Sequence, residues 1–221
     1  MLPFAFPFGR IILVSQAQPS LGAKRTMRVE IRVAAADRNE DRAAHRAGES
    51  GDLLVLADGA GGISGGGRAA DLVLQLARDF QSPAEACGLL RVIDSAISSD
   101  ASAGETTAVV VGIRAGMLVG ASVGDSGAWL VSSDRVEDLT ERQNRKPLLG
   151  SGAALPVGFG PLPLSHRVLI ASDGLLKYAA RRAIVGAALA AELSVAAGQL
   201  LQAARLTSGG LHDDVAILLA G

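Results

Sequence analysis

The chain has 221 residues, a formal net charge of −1 and a pI of about 6.3, with 49% hydrophobic and 3% aromatic residues. A chain of this length is expected to form one domain that buries roughly 70% of its unfolded surface. The near-neutral charge, without a Lys/Arg stripe interleaved with aromatics, argues against nucleic acid as the main partner. The single cysteine, Cys87, excludes an internal disulfide and fits a reducing compartment, which predicts a cytoplasmic protein.

Residues 1–26 are predicted to be an N-terminal extension that precedes a domain spanning 27–221. The apolar run Leu2 to Val14 is interrupted by proline and glycine, is too short to cross a bilayer and has no basic region before it, so neither a membrane span nor a signal peptide is expected. Met27 directly precedes the first clear strand. The extension is therefore either poorly packed or a start-site artefact, or it is an edge strand, and the sequence leaves both interpretations open.

Runs rich in Val, Ile and Leu predict strands at about 28–35, 52–57, 106–113, 117–123, 127–132, 167–172 and 214–219. Between the second and third strands, apolar residues at helical spacing predict a helix from Gly66 to Phe80. A second helix follows, with Ser82 as its N-cap and Glu85 closing a capping box. An Ala- and Leu-rich helical pair is predicted at about 178–205, with a break near 192–194.

The order of these elements indicates the α+β class, because strands and helices are grouped rather than alternating as in βαβ units. Short links join the strands at 106–113, 117–123 and 127–132, which predicts one antiparallel meander. The segment 140–166 is polar, contains Gly and Pro, and is predicted to be irregular.

Four acidic residues lie where an apolar strand ends or begins: Asp58, Asp125, Asp173 and Asp213. Each is weak as a signal alone, since Asp-Gly is a common turn dipeptide. A carboxylate at the end of a buried strand is costly unless it is paired or binds a cation. Four in equivalent positions therefore predict one shared metal site.

The glycine-rich loop after Asp58 offers a competing interpretation, because strand, glycine loop and helix also form phosphate-binding loops. Gly62 and Gly67 have the spacing of a P-loop, but Arg68-Ala69 follows where Lys and Ser/Thr are required. Ser64 likewise interrupts the dinucleotide-binding pattern. Nucleotide binding is therefore the weaker interpretation.

Six short motifs in a fixed order carry a family resemblance: Asn39-Glu40-Asp41, Ala57-Asp58-Gly59-Ala60-Gly61-Gly62, Glu105-Thr106-Thr107-Ala108, Val123-Gly124-Asp125-Ser126, Ala171-Ser172-Asp173-Gly174-Leu175 and His212-Asp213-Asp214-Val215. Together they resemble the metal-dependent (PPM, type-2C) serine/threonine protein phosphatases of the bacterial branch. The resemblance covers about residues 29–220. It implies two antiparallel β-sheets packed as a sandwich and flanked by pairs of helices, in four layers.

The resemblance also implies a centre of two Mn²⁺ or Mg²⁺ ions. Asp58 would bridge both ions, the Gly59 carbonyl and Asp41 would serve one of them, and Asp173 and Asp213 would hold the other. Asp125 matches a position associated with a third, weaker ion. Oxygen ligands alone suit such hard cations, and Asp41, Asp58, Asp173 and Asp213 are expected to converge in space.

The chain departs from the family pattern at several places. Ala36 stands where the family carries a phosphate-binding arginine, and Arg38 is either its substitute or a surface residue. The segment 140–166 is short for the mobile flap that the family places there, so Arg145 and Lys146 are hypothesised to line the substrate groove. Asp214 replaces the common Asn, adding negative charge that strengthens or distorts metal binding.

The leading prediction is a metal-dependent serine/threonine protein phosphatase that hydrolyses phosphomonoesters with a metal-activated water. Its partners would be a phosphorylated protein substrate and an opposing kinase, with neither nucleic acid nor membrane involved. Two alternatives remain: a pseudophosphatase that binds a phosphoprotein without turnover, and a hydrolase of small phosphoesters that uses the same site.

Overall fold

A computed structural model describes residues 27–48, 51–60, 65–78 and 85–221. The strands in these residues are β1 Val29–Ala34, β2 Arg42–Gly48, β3 Gly51–Ala57, β4 Gly59–Ala60, β5 Glu105–Thr106, β6 Ala108–Arg114, β7 Met117–Val123, β8 Gly127–Val131, β9 Val136–Asp138, β10 Val157–Pro163, β11 Arg167–Ala171 and β12 Val215–Ala220. The helices are α1 Gly66–Ala77, α2 Ala86–Ser98, α3 Asp173–Leu176, α4 Arg181–Ala188 and α5 Leu193–Ala203.

Two five-stranded antiparallel sheets form the centre of the molecule. Their strand orders are β1-β12-β11-β8-β9 and β10-β7-β6-β3-β2, and a short β4–β5 pair lies apart from both. One buried cluster contains side chains from both sheets, among them Leu54 and Val111 from one sheet and Ile170 and Leu218 from the other. The sheets are therefore packed face to face as a sandwich.

Helices cover the outer face of each sheet. Alternate residues of β3, such as Leu53 and Val55, pack with α1 and α2, while their neighbours Leu54 and Leu56 point between the sheets. In β8, β11 and β12, alternate residues likewise pack against α3, α4 and α5, and the residues between them point between the sheets. Because both faces are buried, the central strands are continuously apolar. The predicted α+β class and four-layer sandwich are confirmed.

The prediction of one meander is wrong for its third strand. The hairpin from β6 to β7 is present, with Arg114 paired to Met117 across Ala115-Gly116. The next strand, β8, belongs to the other sheet and pairs with β11. The link of Gly124, Asp125 and Ser126 therefore crosses between the sheets, and Gly124 has φ +87°, which a residue with a side chain rarely adopts.

The sequence analysis missed three strands of the two large sheets, and all three lie at sheet edges. One of them, β10, falls inside the segment 140–166, so the prediction that this whole segment is irregular is wrong. Its glycines and prolines are tolerated because an edge strand has hydrogen bonds on one side only. The others, β2 and β9, are too short or too polar to give an apolar strand pattern. The sequence analysis also did not separate out the short pair β4 and β5.

The two helical pairs lie where the sequence predicted them, and the second pair is interrupted between Ala188 and Leu193. The short helix α3 was not predicted. The predicted cap residue Ser82, the end of the first helix at Phe80 and the extension 1–26 lie outside the described residues. No helix of the described segments is both long and apolar enough to cross a membrane.

Candidate metal centre

The pairing of β2 with β3 brings Asp41 and Asp58 together. Arg42, the first residue of β2, is paired with Ala57, the last residue of β3. Asp41 precedes the first and Asp58 follows the second, so both lie at the same end of the hairpin. Sequence reasoning included Asp41 by resemblance only, because β2 was not recognised as a strand.

Three further acidic residues lie at this end of the sandwich. Ala171 of β11 pairs with Gly127 of β8 on one side and with β12 on the other. Asp173 follows the end of β11, Asp125 precedes β8, and Asp213 precedes β12. The side chains of Asp125 and Asp173 are mostly buried, with 26% and 18% of their surface exposed. Asp213 is exposed.

Burial is the largest cause that raises the pKa of Asp58 to about 9. Nearby negative charges add to it, and they come from Asp41, Asp173 and Asp125. The like charges disfavour ionisation because each carboxylate repels the next in a poorly hydrated space. A cation bound among these groups would reverse this effect.

Asp41 is the most deeply buried of these carboxylates, with 1% of its surface exposed. Neither of its oxygens has a hydrogen-bond partner of good geometry, although the side chains of Ser172 and Asp58 are close enough to interact with it. Burial, with the charges of Asp214 and Asp213, raises the pKa of Asp41 to about 7. A buried carboxylate without a partner is rare in proteins and fits a cation ligand.

Among the residues that the structure describes, no three Asp, Glu, His or Cys side chains have the arrangement of a closed metal-ligand set. The predicted ligand roles of Asp41, Asp58, Asp173 and Asp213 therefore remain predictions. The donor set nevertheless fits Mn²⁺ or Mg²⁺, since its side-chain ligands are carboxylates.

Gly59 must be glycine for steric reasons. A Cβ atom at this position would lie 2.5 Å from the carbonyl carbon of Gly66 and 2.8 Å from the Cβ of Glu40. The strand β4 therefore passes directly against the start of α1 and against the residue before Asp41. A side chain at position 59 would therefore displace either the start of α1 or the loop that leads to Asp41.

The sequence matches no protein-family model and no curated protein sequence. Solved structures do match. A bacterial serine phosphatase aligns with a TM-score of 0.76 and 21% identity over 88% of this chain and 97% of its own. Stp1 from Staphylococcus aureus aligns at 0.75 and 21% over 94% and 99%. The catalytic domain of PstP, in complex with two manganese ions, aligns at 0.73 and 23% over 88% and 97%.

This is the fold of bacterial serine/threonine phosphatases. The match extends over nearly the whole length of each structure, so the sandwich and its helical layers are shared as one unit.

Within this phosphatase fold, two threonines connect Asp58 to the turn that carries Asp125. The backbone carbonyl of Asp58 accepts hydrogen bonds from the Thr107 amide at 2.9 Å and from the Thr106 hydroxyl at 2.8 Å. The Thr107 hydroxyl also contacts the Ser126 hydroxyl at 2.7 Å. Thr106, Thr107 and Ser126 are buried. They therefore fix the backbone of Asp58 relative to the crossing between the sheets.

Asp214 holds the loop that leads to Asp41, a role that sequence reasoning missed. Its carboxylate accepts hydrogen bonds from the backbone amides of Ala36 and Glu40, both at 2.7 Å. Arg42 supports the same loop by donating to the carbonyl oxygens of Asn39 and Asp41 at 2.7 and 2.9 Å. A carboxylate can accept at both oxygens and an amide at one only. This is a structural reason for Asp rather than Asn at position 214.

The remaining predicted residues lie near the centre with different degrees of support. Arg38 is exposed in the loop that Asp214 holds, and its proposed contact with substrate phosphate stays a prediction. Arg145 comes to the acidic cluster directly, where its Nη2 atom lies 2.5 Å from Oδ2 of Asp125. His212 is exposed, and its ring stacks on Tyr178 at a centroid distance of 4.6 Å.

The segment 140–166, where the family resemblance places a flap, is fixed to the body of the protein by its backbone. Leu149 exchanges two backbone hydrogen bonds of 3.0 Å with Thr106. The buried carboxylate of Asp94, on α2, accepts hydrogen bonds from the amides of Gly150, Gly152 and Ala154 at 2.7, 3.1 and 3.0 Å. Three amides on one charged acceptor make a strong anchor.

Replacing Asp94 should therefore destabilise the protein. We expect Asp94→Ala to lower the free energy of unfolding by about 3–5 kcal/mol, because three amides lose a buried charged acceptor. Asp94→Asn should cost less, about 1–2 kcal/mol, because its amide oxygen can still accept from Gly150 and Gly152. Urea denaturation measures both values, and equal costs for the two variants would contradict this account.

Proposed function

We propose that this chain is a metal-dependent serine/threonine protein phosphatase. The observation that carries the proposal is the buried carboxylate of Asp41, which has no hydrogen-bond partner of good geometry and lies beside Asp58. The acidic residues Asp125, Asp173 and Asp213 lie at the same end of the sandwich. The fold shared with bacterial serine/threonine phosphatases, one of them in complex with two manganese ions, supports the same conclusion.

We propose that Asp58 would serve both of two metal ions, that Asp41 and the Gly59 carbonyl would hold one of them with it, and that Asp173 and Asp213 would hold the other. Bound Mn²⁺ or Mg²⁺ supplies an activated water nucleophile and neutralises charge on the phosphoryl oxygens. Hydrogen bonds of Thr107 with the Asp58 amide and of Asp214 with the Glu40 amide fix the backbone on either side of the hairpin, which supports this proposal. Pre-organised ligands avoid reorganisation during the reaction.

Two exposed cationic side chains lie beside the acidic cluster. Arg145 has 70% of its side chain exposed while it contacts Asp125, and Lys177 lies 3.8 Å from Asp173 with half of its side chain exposed. A phosphoprotein could approach from this side without passing through the sandwich. We propose a phosphorylated protein as substrate, an opposing serine/threonine kinase, and action in the cytoplasm.

Hydrolysis assays test the proposal and separate it from its alternatives. We expect Mn²⁺-dependent hydrolysis of a phosphothreonine peptide, and a loss of at least about 100-fold in kcat/KM for Asp173→Asn. A pseudophosphatase would bind Mn²⁺ and the peptide without turnover. A small-phosphoester hydrolase would cleave an aryl phosphate but not the peptide. An inert wild-type protein in Mn²⁺, or full activity in Asp173→Asn, would contradict the enzyme proposal.

A further inference from the structure

Arg145 forms an ion pair with Asp125, the acidic residue at the position that the family resemblance associates with a third ion. The guanidinium lies 2.5 Å from the carboxylate, although the two residues are far apart in sequence. Asp125 is also the residue whose negative charge acts on both Asp58 and Asp173. The arginine therefore contacts the carboxylate that would hold an ion beside the two-ion centre.

The loop that carries Arg145 is held close to Asp125. On one side, the Gln143 side-chain amide donates a hydrogen bond to the carbonyl oxygen of Ser122, three residues before Asp125. On the other side, Leu149 pairs with Thr106, and Asp94 anchors the backbone from Gly150 onwards. A tethered group has an effective concentration on the order of mM or higher. It can therefore compete with a weakly bound free ion even though an exposed pair contributes little to stability.

We propose that Arg145 takes the place of a third divalent cation on Asp125, so that the centre of this chain holds two ions. The inference rests on the proposed function for the two-ion centre. It assigns to Asp125 the role of positioning an arginine beside the substrate phosphate, rather than the role of a metal ligand.

Counting bound Mn²⁺ tests the proposal without an activity assay. The full chain is titrated with Mn²⁺ to millimolar concentration by isothermal titration calorimetry. Electron paramagnetic resonance measures the Mn²⁺ that stays free at each step. We expect two ions for the wild type and three for Arg145→Ala, the third binding at least about tenfold more weakly than the others. Arg145→Lys keeps the positive charge and should bind two.

Two further variants complete the design. Arg145→Ala combined with Asp125→Asn should return the count to two, and Asp125→Asn alone should leave the wild-type count unchanged. Three ions in the wild type, or two in a folded Arg145→Ala protein, would overturn the proposal and leave the phosphatase function standing. A wild-type chain that binds no Mn²⁺ would overturn the phosphatase proposal as well. Far-UV circular dichroism shows whether each variant is folded. The comparison of the wild type with Asp125→Asn stays informative even if Arg145→Ala does not fold.

Discussion

Asp58→Asn is expected to abolish metal-dependent hydrolysis and, at the same time, to stabilise the metal-free protein. The proposed bridging ligand contributes several kcal/mol of transition-state stabilisation through the ions it holds, so kcat/KM should fall at least about 1000-fold. Without metal, however, Asp58 is a buried carboxylate next to Asp41 and Asp173. At pH 8, below the pKa of about 9 that Asp58 has in the folded state, folding requires Asp58 to take up a proton that the unfolded chain has released. Asparagine removes this cost with little change in volume. Phosphopeptide hydrolysis in Mn²⁺ and Tm in EDTA at pH 8 measure the two effects.

Asp134→Asn is the matched control. Asp134 is exposed and accepts a hydrogen bond from the Ser132 hydroxyl at 2.8 Å. That hydrogen bond is the largest cause that lowers the pKa of Asp134. The same substitution there should leave hydrolysis unchanged and should not raise Tm. If Asp58→Asn lowers Tm in EDTA as well as activity, Asp58 has a structural role and the account based on its raised pKa is wrong.

The metal-free protein should lose stability as the pH rises from about 4 to about 9. The pKa of Asp58 is raised to about 9 and that of Asp41 to about 7, both above the ordinary value of 3.8. The folded state therefore binds more protons than the unfolded state across this window, and stability falls with increasing pH. Below the window both states are protonated, and above it both are ionised. We expect Tm in EDTA to fall by on the order of 10 °C across the window.

Mn²⁺ should reverse this trend. The ion must displace protons from Asp58 and Asp41, so its binding tightens and its effect on Tm grows as the pH rises. The groups that face these two carboxylates are Asp125, Asp173, Asp213 and Asp214. Asp58→Asn should reduce the pH dependence in EDTA and leave the part that Asp41 contributes. A Tm in EDTA that rises with pH would contradict the assignment of the raised pKa values.

The central strands could be predicted because their residues are apolar on both faces. Alternate residues of β3, β6, β11 and β12 pack towards the helices and towards the other sheet, so each strand is an unbroken apolar run. The edge strands β2, β9 and β10 carry no such signal. They exist because a neighbouring strand offers hydrogen-bonding groups, and that neighbour is distant in sequence or separated by a turn. The composition of an edge strand does not show whether such a neighbouring strand is present.

By itself, the sequence determined the α+β class, the order of the acidic motifs and the presence of a carboxylate at the end of several buried strands. Hydrophobic burial and turn chemistry are local enough to be read from composition and spacing.

Only the tertiary structure decided the rest. The register of β2 on β3 places Asp41 beside Asp58, the crossing after β7 assigns β8 to the other sheet, and Asp214 holds the loop before Asp41. The contact of Arg145 with Asp125 likewise depends on a loop anchored by Asp94. Apart from the β2–β3 hairpin, these features arise from hydrogen bonds and ion pairs between segments distant along the chain. Such contacts form only when the chain is folded, so the sequence pattern within a single segment does not predict them.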